Sequence, residues 1–183
     1  MSGNTIKKER DISVGYVIIS IVYWILSLTM VLLIFQLSSD DAAASSSFTT
    51  GLMLLINNVL GTDLYSDELL RIVGHIGEFA LLTVFTYLAM DATNKISDKT
   101  SYAESPMKIL RSDNEMNITI TLWYCILNAI FDEYHQLFIS GRDGSIADVI
   151  IDCIGIFVVL LIARLIFTIK LKVMGKKEVR YNI

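Results

Sequence analysis

The chain lacks most of the features that identify soluble enzymes. Its 183 residues include one proline, Pro106, so little in the sequence would interrupt a long helix. It carries no phosphate-binding loop, no glycine-rich dinucleotide turn, no nucleophile elbow and no His-Glu-x-x-His motif. It also lacks a basic patch with interleaved aromatic residues, so we expect no nucleic-acid partner. These absences exclude the enzyme classes that such motifs define.

Cysteine is also scarce, and neither of the two cysteines indicates a disulfide or a metal site. Cys125 and Cys153 both fall inside apolar runs, without the paired spacing of a zinc motif or the density of a disulfide framework. We therefore expect both to serve as small apolar helix residues.

Hydrophobic residues make up 54% of the chain and concentrate in four long runs. The runs cover residues 12–35, 69–90, 119–139 and 146–169. A helix needs about 20 residues to cross a bilayer, so each run is long enough. The first run, at about 24 residues, exceeds a signal-peptide core, so we expect it to be retained. The predicted fold is an all-α membrane protein with four transmembrane helices.

Basic residues are distributed unevenly between the loops. They cluster in the N-terminal tail, between the second and third runs, and after the fourth run. The segment between the first and second runs has no Lys or Arg before Arg71, and Arg142 is the one base between the third and fourth runs. The positive-inside rule then predicts a multi-pass protein with both termini in the cytoplasm and the first and third loops outside.

The same pattern predicts one membrane domain with two short tails. Residues 1–11 form a cytoplasmic tail, residues 12–169 the membrane domain, and residues 170–183 a basic cytoplasmic tail. The apolar segment 51–60 is too short to span, and could form an interfacial or re-entrant helix in the first outer loop. Residues 91–116 are predicted to form a charged cytoplasmic loop.

Ionisable residues lie inside three of the four runs, where they are costly unless buried, paired or hydrated. With a rise of about 1.5 Å per residue, His75 lies about 6 Å and Glu78 about 10 Å deeper than Arg71, on one helix face. Asp132 and Glu133 lie about 10 Å below the end of the third run. Asp152 is one turn deeper than Asp148 in the fourth run. Three helices therefore bring polar faces to one depth.

Such a group of carboxylates, imidazoles and guanidinium groups allows several kinds of chemistry. It can supply a general acid and base, bind an anionic group through arginine, or hold a divalent cation. It can also be structural: Arg71 paired with Asp148 would lock the bundle, and Gly74 and Gly77 would permit close helix packing. The candidate catalytic residues are Glu78, Asp132, Glu133 and Asp152. The candidate substrate-binding residues are Arg71, His75, Gln136, Arg142 and Asp148.

Three stretches carry a resemblance to a known family. They are RIVGHIGEF at residues 71–79, FDEYHQLF at 131–138 and GRDGSIADVIIDCIG at 141–155. In this order they resemble the VanZ-like bacterial membrane proteins, whose pattern is Arg/Lys-x-x-x-His-x-x-Glu, then Asp-Glu-x-x-Gln, then Arg-x-x-x-x-x-Asp-x-x-x-Asn. Asp152 stands where that pattern commonly has Asn, which adds a negative charge and puts a neutral hydrogen-bonding role there in doubt.

The resemblance implies a protein of the bacterial cell envelope, in a family named for an association with resistance to teicoplanin, a lipoglycopeptide. It does not reveal an activity. One hypothesis is an enzyme that acts on a membrane lipid or a lipid-linked wall precursor. Another is a non-catalytic module that binds a lipid, an antibiotic's lipid tail or a partner protein. An ion or proton pathway is disfavoured, because the inner halves of the second and third runs offer few polar residues beyond threonines.

Overall fold

The computed structural model describes residues 12–39, 67–97, 105–142 and 144–181, and these ranges form a helical bundle. The four helices are α1 (Val14–Ser39), α2 (Asp67–Asn94), α3 (Pro106–Gln136) and α4 (Ile146–Tyr181). No strand occurs within these ranges, where one isolated bridge joins Ile12 to Ser97. The predicted all-helical fold is therefore confirmed for the described residues. The segments 1–11 and 51–60 lie outside them.

Three helices have the length and composition needed to cross a membrane. The qualifying segments are Val14–Ser39 in α1, Arg71–Asn94 in α2 and Ile146–Gly175 in α4. The helix α3 is long, at 31 residues, but it is less apolar because polar residues fill its first turns and acids lie near its end. Spanning capacity is thus shown for three of the four predicted transmembrane helices.

The helix α2 occupies the centre of the bundle and packs against α1, α3 and α4. Its side chains Phe79 and Leu82 are fully buried, with Ile156 of α4 and Cys125 of α3. Cys125 thus serves as a small core residue, as predicted. Large apolar side chains cover the outer surface instead, which suits helices that face lipid. Examples are Ile18, Leu32, Leu81, Trp123, Phe157 and Leu161.

Hydroxyl pairs join α1 to α2 along their buried faces. Ser27 and Thr86 lie 2.8 Å apart through their hydroxyl oxygens, and Ser20 and Thr93 lie 2.7 Å apart. Both serines are buried, in a helix that carries no acidic or basic side chain. Small hydroxyl residues allow close approach and satisfy each other in apolar surroundings, so they hold membrane helices together.

The predicted loop at residues 91–116 is wrong over much of its length, because α2 continues to Asn94 and α3 begins at Pro106. Proline suits the first turn of a helix, where its missing N–H would have no partner. Side-chain hydrogen bonds then join the last turns of α2 to the first half of α3. Tyr87 donates to Asn114 at 2.6 Å, and Asn94 donates to Asn117 at 2.6 Å. The helix α4 likewise continues beyond residue 169, into the predicted tail.

Candidate functional site

Polar side chains from three helices meet at the end of the bundle where α3 ends and α4 begins. We call this group the polar cluster. Its members are His75, Glu78, Asp132, Glu133, Gln136 and Asp152. The counting of helix turns predicted such a meeting, and the structure brings α2, α3 and α4 together at this level. Of these residues, Asp132, Glu133, Gln136 and Asp152 are buried.

A histidine–aspartate pair connects α2 to α4 within the polar cluster. His75 Nδ1 lies 3.0 Å from Asp152 Oδ1. Asp152 has no exposed surface, and the His75 side chain is 13% exposed. A buried carboxylate needs a partner of this kind, because desolvation otherwise makes its charge costly. The pair gives His75 a fixed position at the edge of the cluster.

The close approach of α4 to α2 depends on Gly155, which lies three residues after Asp152 on the same helix. A Cβ atom added to Gly155 would collide with the carbonyl oxygen of Ile76 and lie 3.2 Å from the nitrogen of Ala80. The predicted role of Gly74 and Gly77 is wrong, because a Cβ at either position meets no heavy atom of the described residues within 4 Å. The glycine that permits close packing between α2 and α4 therefore belongs to α4, and not to α2 as the sequence suggested.

Glu133 holds the link between α3 and α4 against the cluster. Its Oε2 atom accepts a hydrogen bond from the backbone N–H of Ser145 at 2.7 Å. Gly144 lies against the backbone carbonyl of Glu133, where a Cβ atom would collide. Gly141 has a φ of 80°, a left-handed conformation that glycine adopts readily. These two glycines and one backbone N–H therefore place the start of α4 beside Glu133.

Gln136 joins two acids on its own helix. Its Nε2 atom donates to Asp132 Oδ2 at 3.1 Å and to Glu133 Oε1 at 2.9 Å. The other oxygen of Asp132 lies near the buried hydroxyl of Ser38, which can donate to it. Asp152 Oδ2 is buried and has no hydrogen-bond partner among the described residues. Asp152 thus retains an acceptor without a donor.

Three members of the polar cluster could hold a metal ion together. His75, Glu133 and Asp152 each offer one ligand atom, and these atoms all lie within 4.8 Å of one another. Within the described part of the chain, no other group of three or more His, Cys, Asp or Glu side chains lies close enough together to hold a metal ion. Each ligand comes from a different helix, so the site exists only in the folded bundle.

The two candidate arginines lie at the rim of the polar cluster. Arg71 Nη2 contacts both oxygens of Asp148, at 3.1 and 3.2 Å. The Arg71 side chain is 62% exposed, whereas that of Asp148 is 7% exposed. This is the interhelical pair that the sequence suggested. Arg142 Nη2 donates to the carbonyl oxygen of Leu37 at 3.1 Å, which ties the α3–α4 link to the end of α1.

His135 and Asn128, two other polar residues of α3, have partners outside the polar cluster. His135 packs edge-on against Phe35, with ring centroids 5.5 Å apart. Asn128 donates to the carbonyl oxygen of Tyr124, one turn earlier. Sequence reasoning also missed the backbone N–H of Ser145 and the contact at Gly155. Glycines at 141, 144 and 155 were the signal for both features, since each lies within the third matching stretch.

The comparisons with known proteins identify one family. The family model described as VanZ/LLP1 matches residues 21–167, which include every candidate site residue. No curated protein and no solved structure matches the chain. The match covers most of the chain and confirms the resemblance carried by the three stretches. The length and composition of α1, α2 and α4 agree with a membrane protein. The chain therefore belongs to the VanZ/LLP1 family.

Proposed function

We propose that this protein is a multi-pass component of the bacterial cell membrane that acts on the polar part of an amphiphile, either a membrane lipid or a lipid-linked wall precursor. All four helices cross the bilayer in this proposal, with both termini in the cytoplasm. The polar cluster then lies in the outer leaflet, at about the depth of lipid head groups. The observation that carries the proposal is the burial of Asp132, Glu133 and Asp152 beside His75 at that end.

The exposed face of α3 supports its role as the fourth membrane-crossing helix. Trp123, Leu127, Ile130 and Phe131 are exposed there. The buried acids Asp132 and Glu133 lower the average hydropathy of α3, but they face the interior of the bundle. Acidic residues in membrane helices usually face inwards, where they pair and mark functional sites. The composition of α3 therefore agrees with a span that lines a site.

The orientation follows from the loop charges. Lysine and arginine residues are concentrated in the two tails and in the α2–α3 connection. Positively charged loops remain in the cytoplasm, so the opposite end of the bundle faces outwards. The polar cluster lies at that opposite end, together with Arg71 and Arg142.

The chemistry that fits the cluster is proton transfer to or from a bound head group. Asp132 is buried beside the bundle interior, and the His75–Asp152 pair lies nearby. Carboxyl and imidazole groups in such positions act as general acids and bases. Arg71 contacts Asp148 through one nitrogen and remains largely exposed, so its guanidinium group can also bind a phosphate at the rim.

Mass spectrometry of lipids and wall precursors in cells tests this proposal. Cells would express wild type, Asp132→Asn, Glu133→Gln or the control Glu115→Gln at matched membrane levels. Glu115 pairs with Arg164, both largely exposed, at the other end of the bundle. We expect a species that is created or depleted by wild type and Glu115→Gln but not by the cluster variants. A wild-type lipid profile that matches the profile of cells without the protein would contradict an enzymatic role.

A non-catalytic binding module is the second candidate, and the structural contacts of the acids favour it. Glu133 holds the Ser145 N–H, Asp148 holds Arg71, and Asp152 holds His75. Such a network could shape a site for a lipid, an antibiotic's lipid tail or a partner protein. Unchanged lipid profiles in cells that the wild type still protects from a lipoglycopeptide would support this candidate over the enzyme.

A further inference from the structure

We propose that His75, Glu133 and Asp152 bind a divalent transition-metal ion inside the bundle, with Zn²⁺ or Mn²⁺ as the expected occupant. This inference concerns the same site as the proposed function, and any catalytic role of the ion rests on that function. Whether the ion binds can be tested separately. Interatomic distances, one unpaired acceptor and the types of ligand each support it.

The distances suit a shared ion. Nitrogen and oxygen ligands lie about 2.0–2.2 Å from zinc, so neighbouring ligands are about 3.0–3.5 Å apart for angles between a right angle and the tetrahedral angle. His75 Nδ1 and Asp152 Oδ1 are 3.0 Å apart, a separation that fits two neighbouring ligands as well as a hydrogen bond. Glu133 brings the third ligand atom to within 4.8 Å of both. Small movements of these side chains would complete the coordination.

A buried carboxylate oxygen supplies independent evidence that a cation belongs here. Asp152 Oδ2 has no hydrogen-bond partner among the described residues. The unpaired Oδ2 belongs to the same carboxylate as Oδ1, which contacts His75, so it lies inside the polar cluster. Buried acceptors are nearly always satisfied in native proteins, and a bound ion is one recognised way of satisfying them. A metal ion at this point would satisfy Asp152 directly.

The surrounding charge also favours a cation. Five acids with described side chains lie at this end of the bundle, namely Glu78, Asp132, Glu133, Asp148 and Asp152. The guanidinium group of Arg71 contacts Asp148 at the rim, and that of Arg142 contacts the Leu37 carbonyl and also acts on Glu78 electrostatically. Two guanidinium groups do not offset five carboxylates. A divalent ion would offset the excess of carboxylates in the interior.

The ligand set points to a class of metal. Imidazole suits zinc, iron, copper and nickel, whereas carboxylates also suit manganese, magnesium and calcium. Zinc accepts both histidine and carboxylate ligands, and its catalytic sites use three protein ligands with one coordination position left open. Magnesium and calcium prefer oxygen ligands alone, so we expect them to bind more weakly here.

The test is metal binding by the purified full chain in detergent micelles, with the affinity tag removed. After treatment with a chelator, the protein is titrated separately with Zn²⁺, Mn²⁺, Mg²⁺ and Ca²⁺. Bound metal is counted by mass spectrometry and affinity is measured by calorimetry. We expect one Zn²⁺ or Mn²⁺ per chain, and a melting temperature that rises when the metal is added.

Matched variants separate this site from others on the chain. Asp152→Asn and His75→Gln should each weaken Zn²⁺ binding at least about tenfold, because changing even a residue that only supports a ligand typically costs about 10–100-fold in affinity. Glu115→Gln and Cys153→Ser should bind like wild type, because neither residue belongs to the three ligands. If a cluster variant does not fold, as judged by its helical circular dichroism, the wild-type stoichiometry still decides. Folded wild type that binds neither metal stoichiometrically would overturn the proposal, as would unchanged binding by both cluster variants.

The metal-binding experiment and the lipid experiment can fail independently of each other. Stoichiometric metal binding without any change in cellular lipids would support the metal site and contradict the enzyme. A lipid change that depends on Asp132 in a protein that binds no metal would support the enzyme and overturn the metal site.

Discussion

Gly155 determines how closely α4 approaches α2, and through that approach it determines where Asp152 meets His75. The backbone of Ile76 occupies the place that a Cβ atom would need. A backbone atom cannot turn aside as a flexible side chain can, so the helices would have to separate. The polar cluster therefore depends on an uncharged residue whose nearest neighbours across the helix contact are backbone atoms of Ile76 and Ala80.

Gly155→Ala is predicted to destabilise the protein by about 1–3 kcal/mol, the usual cost of an added group in a tightly packed interior. Gly77→Ala is the matched control, because its added Cβ meets no described atom within 4 Å. Alanine favours a helix over glycine by roughly 0.5–1 kcal/mol, so this control should be neutral or slightly stabilising. Unfolding in detergent, followed by circular dichroism, measures both. Equal stability of the two variants would contradict the packing described for Gly155.

Among the residues of the site, those that could be predicted from the sequence have distinctive side chains. Because helix rise is constant, counting residues along each apolar run is enough to place His75, Asp132 and Asp152 at similar depths. Counting cannot show which side of one helix contacts another, because that depends on tertiary packing. The sequence therefore favours Gly74 and Gly77 over Gly155 as packing glycines. Gly141 and Gly144 indicate a tight link between α3 and α4, but they do not show that the Ser145 N–H binds Glu133.

At the scale of the elements, α3 is the helix that the sequence described least well. Hydropathy located its apolar part at residues 119–139, but the helix begins at Pro106. Hydropathy reports contact with lipid and not helical conformation, so a polar helical extension escapes it. A proline at a first helical position is the signal that indicates this start. The end at Gln136 also precedes the end of the apolar run, because the turn towards α4 begins there.

We predict that α3 crosses the membrane, with residue 140 outside and residue 112 in the cytoplasm. Single cysteines placed at the exposed positions Ser112 and Ser140, in a background without Cys125 and Cys153, would test this. An impermeant maleimide should label Ser140→Cys in intact cells, and Ser112→Cys only after the membrane is opened. Both positions are exposed, so burial would not explain a difference in labelling. Labelling of both from the same side would contradict the four-span arrangement.

At the scale of the whole molecule, the two ends of the bundle are separated by its packed core. A cavity of about 730 Å³ lies at the end away from the polar cluster, with all four helices contributing to its lining. Phe79, Leu82 and Ile156 are fully buried between the cavity and the polar cluster. The hydroxyl of Thr86 in this layer is paired with Ser27, and that of Thr83 donates to the Phe79 carbonyl. The buried polar side chains of this layer, which include Thr121, are hydroxyls, and none of the buried side chains described there is an acid or a base.

From this separation we predict that the protein does not conduct ions or protons. Purified protein in liposomes that contain a pH-sensitive dye should dissipate a proton gradient no faster than protein-free liposomes. Gramicidin added afterwards gives the positive control for the same vesicles. Conductance above the protein-free rate, lost in Asp132→Asn, would show that the polar cluster belongs to a pathway and not to a closed site.

The central claim is that the polar cluster transforms an amphiphile, and conversion by purified protein tests it most directly. Wild type, Asp132→Asn and Glu115→Gln would be incubated in liposomes made from a bacterial lipid extract that contains lipid-linked wall precursors. Mass spectrometry would then follow each lipid class over time. Loss of a general acid or base typically lowers a rate by about 10²–10⁴-fold. We predict conversion by wild type and Glu115→Gln, and at least a hundredfold slower conversion by Asp132→Asn. An extract left unchanged by folded wild type, or changed equally by all three proteins, would contradict the claim.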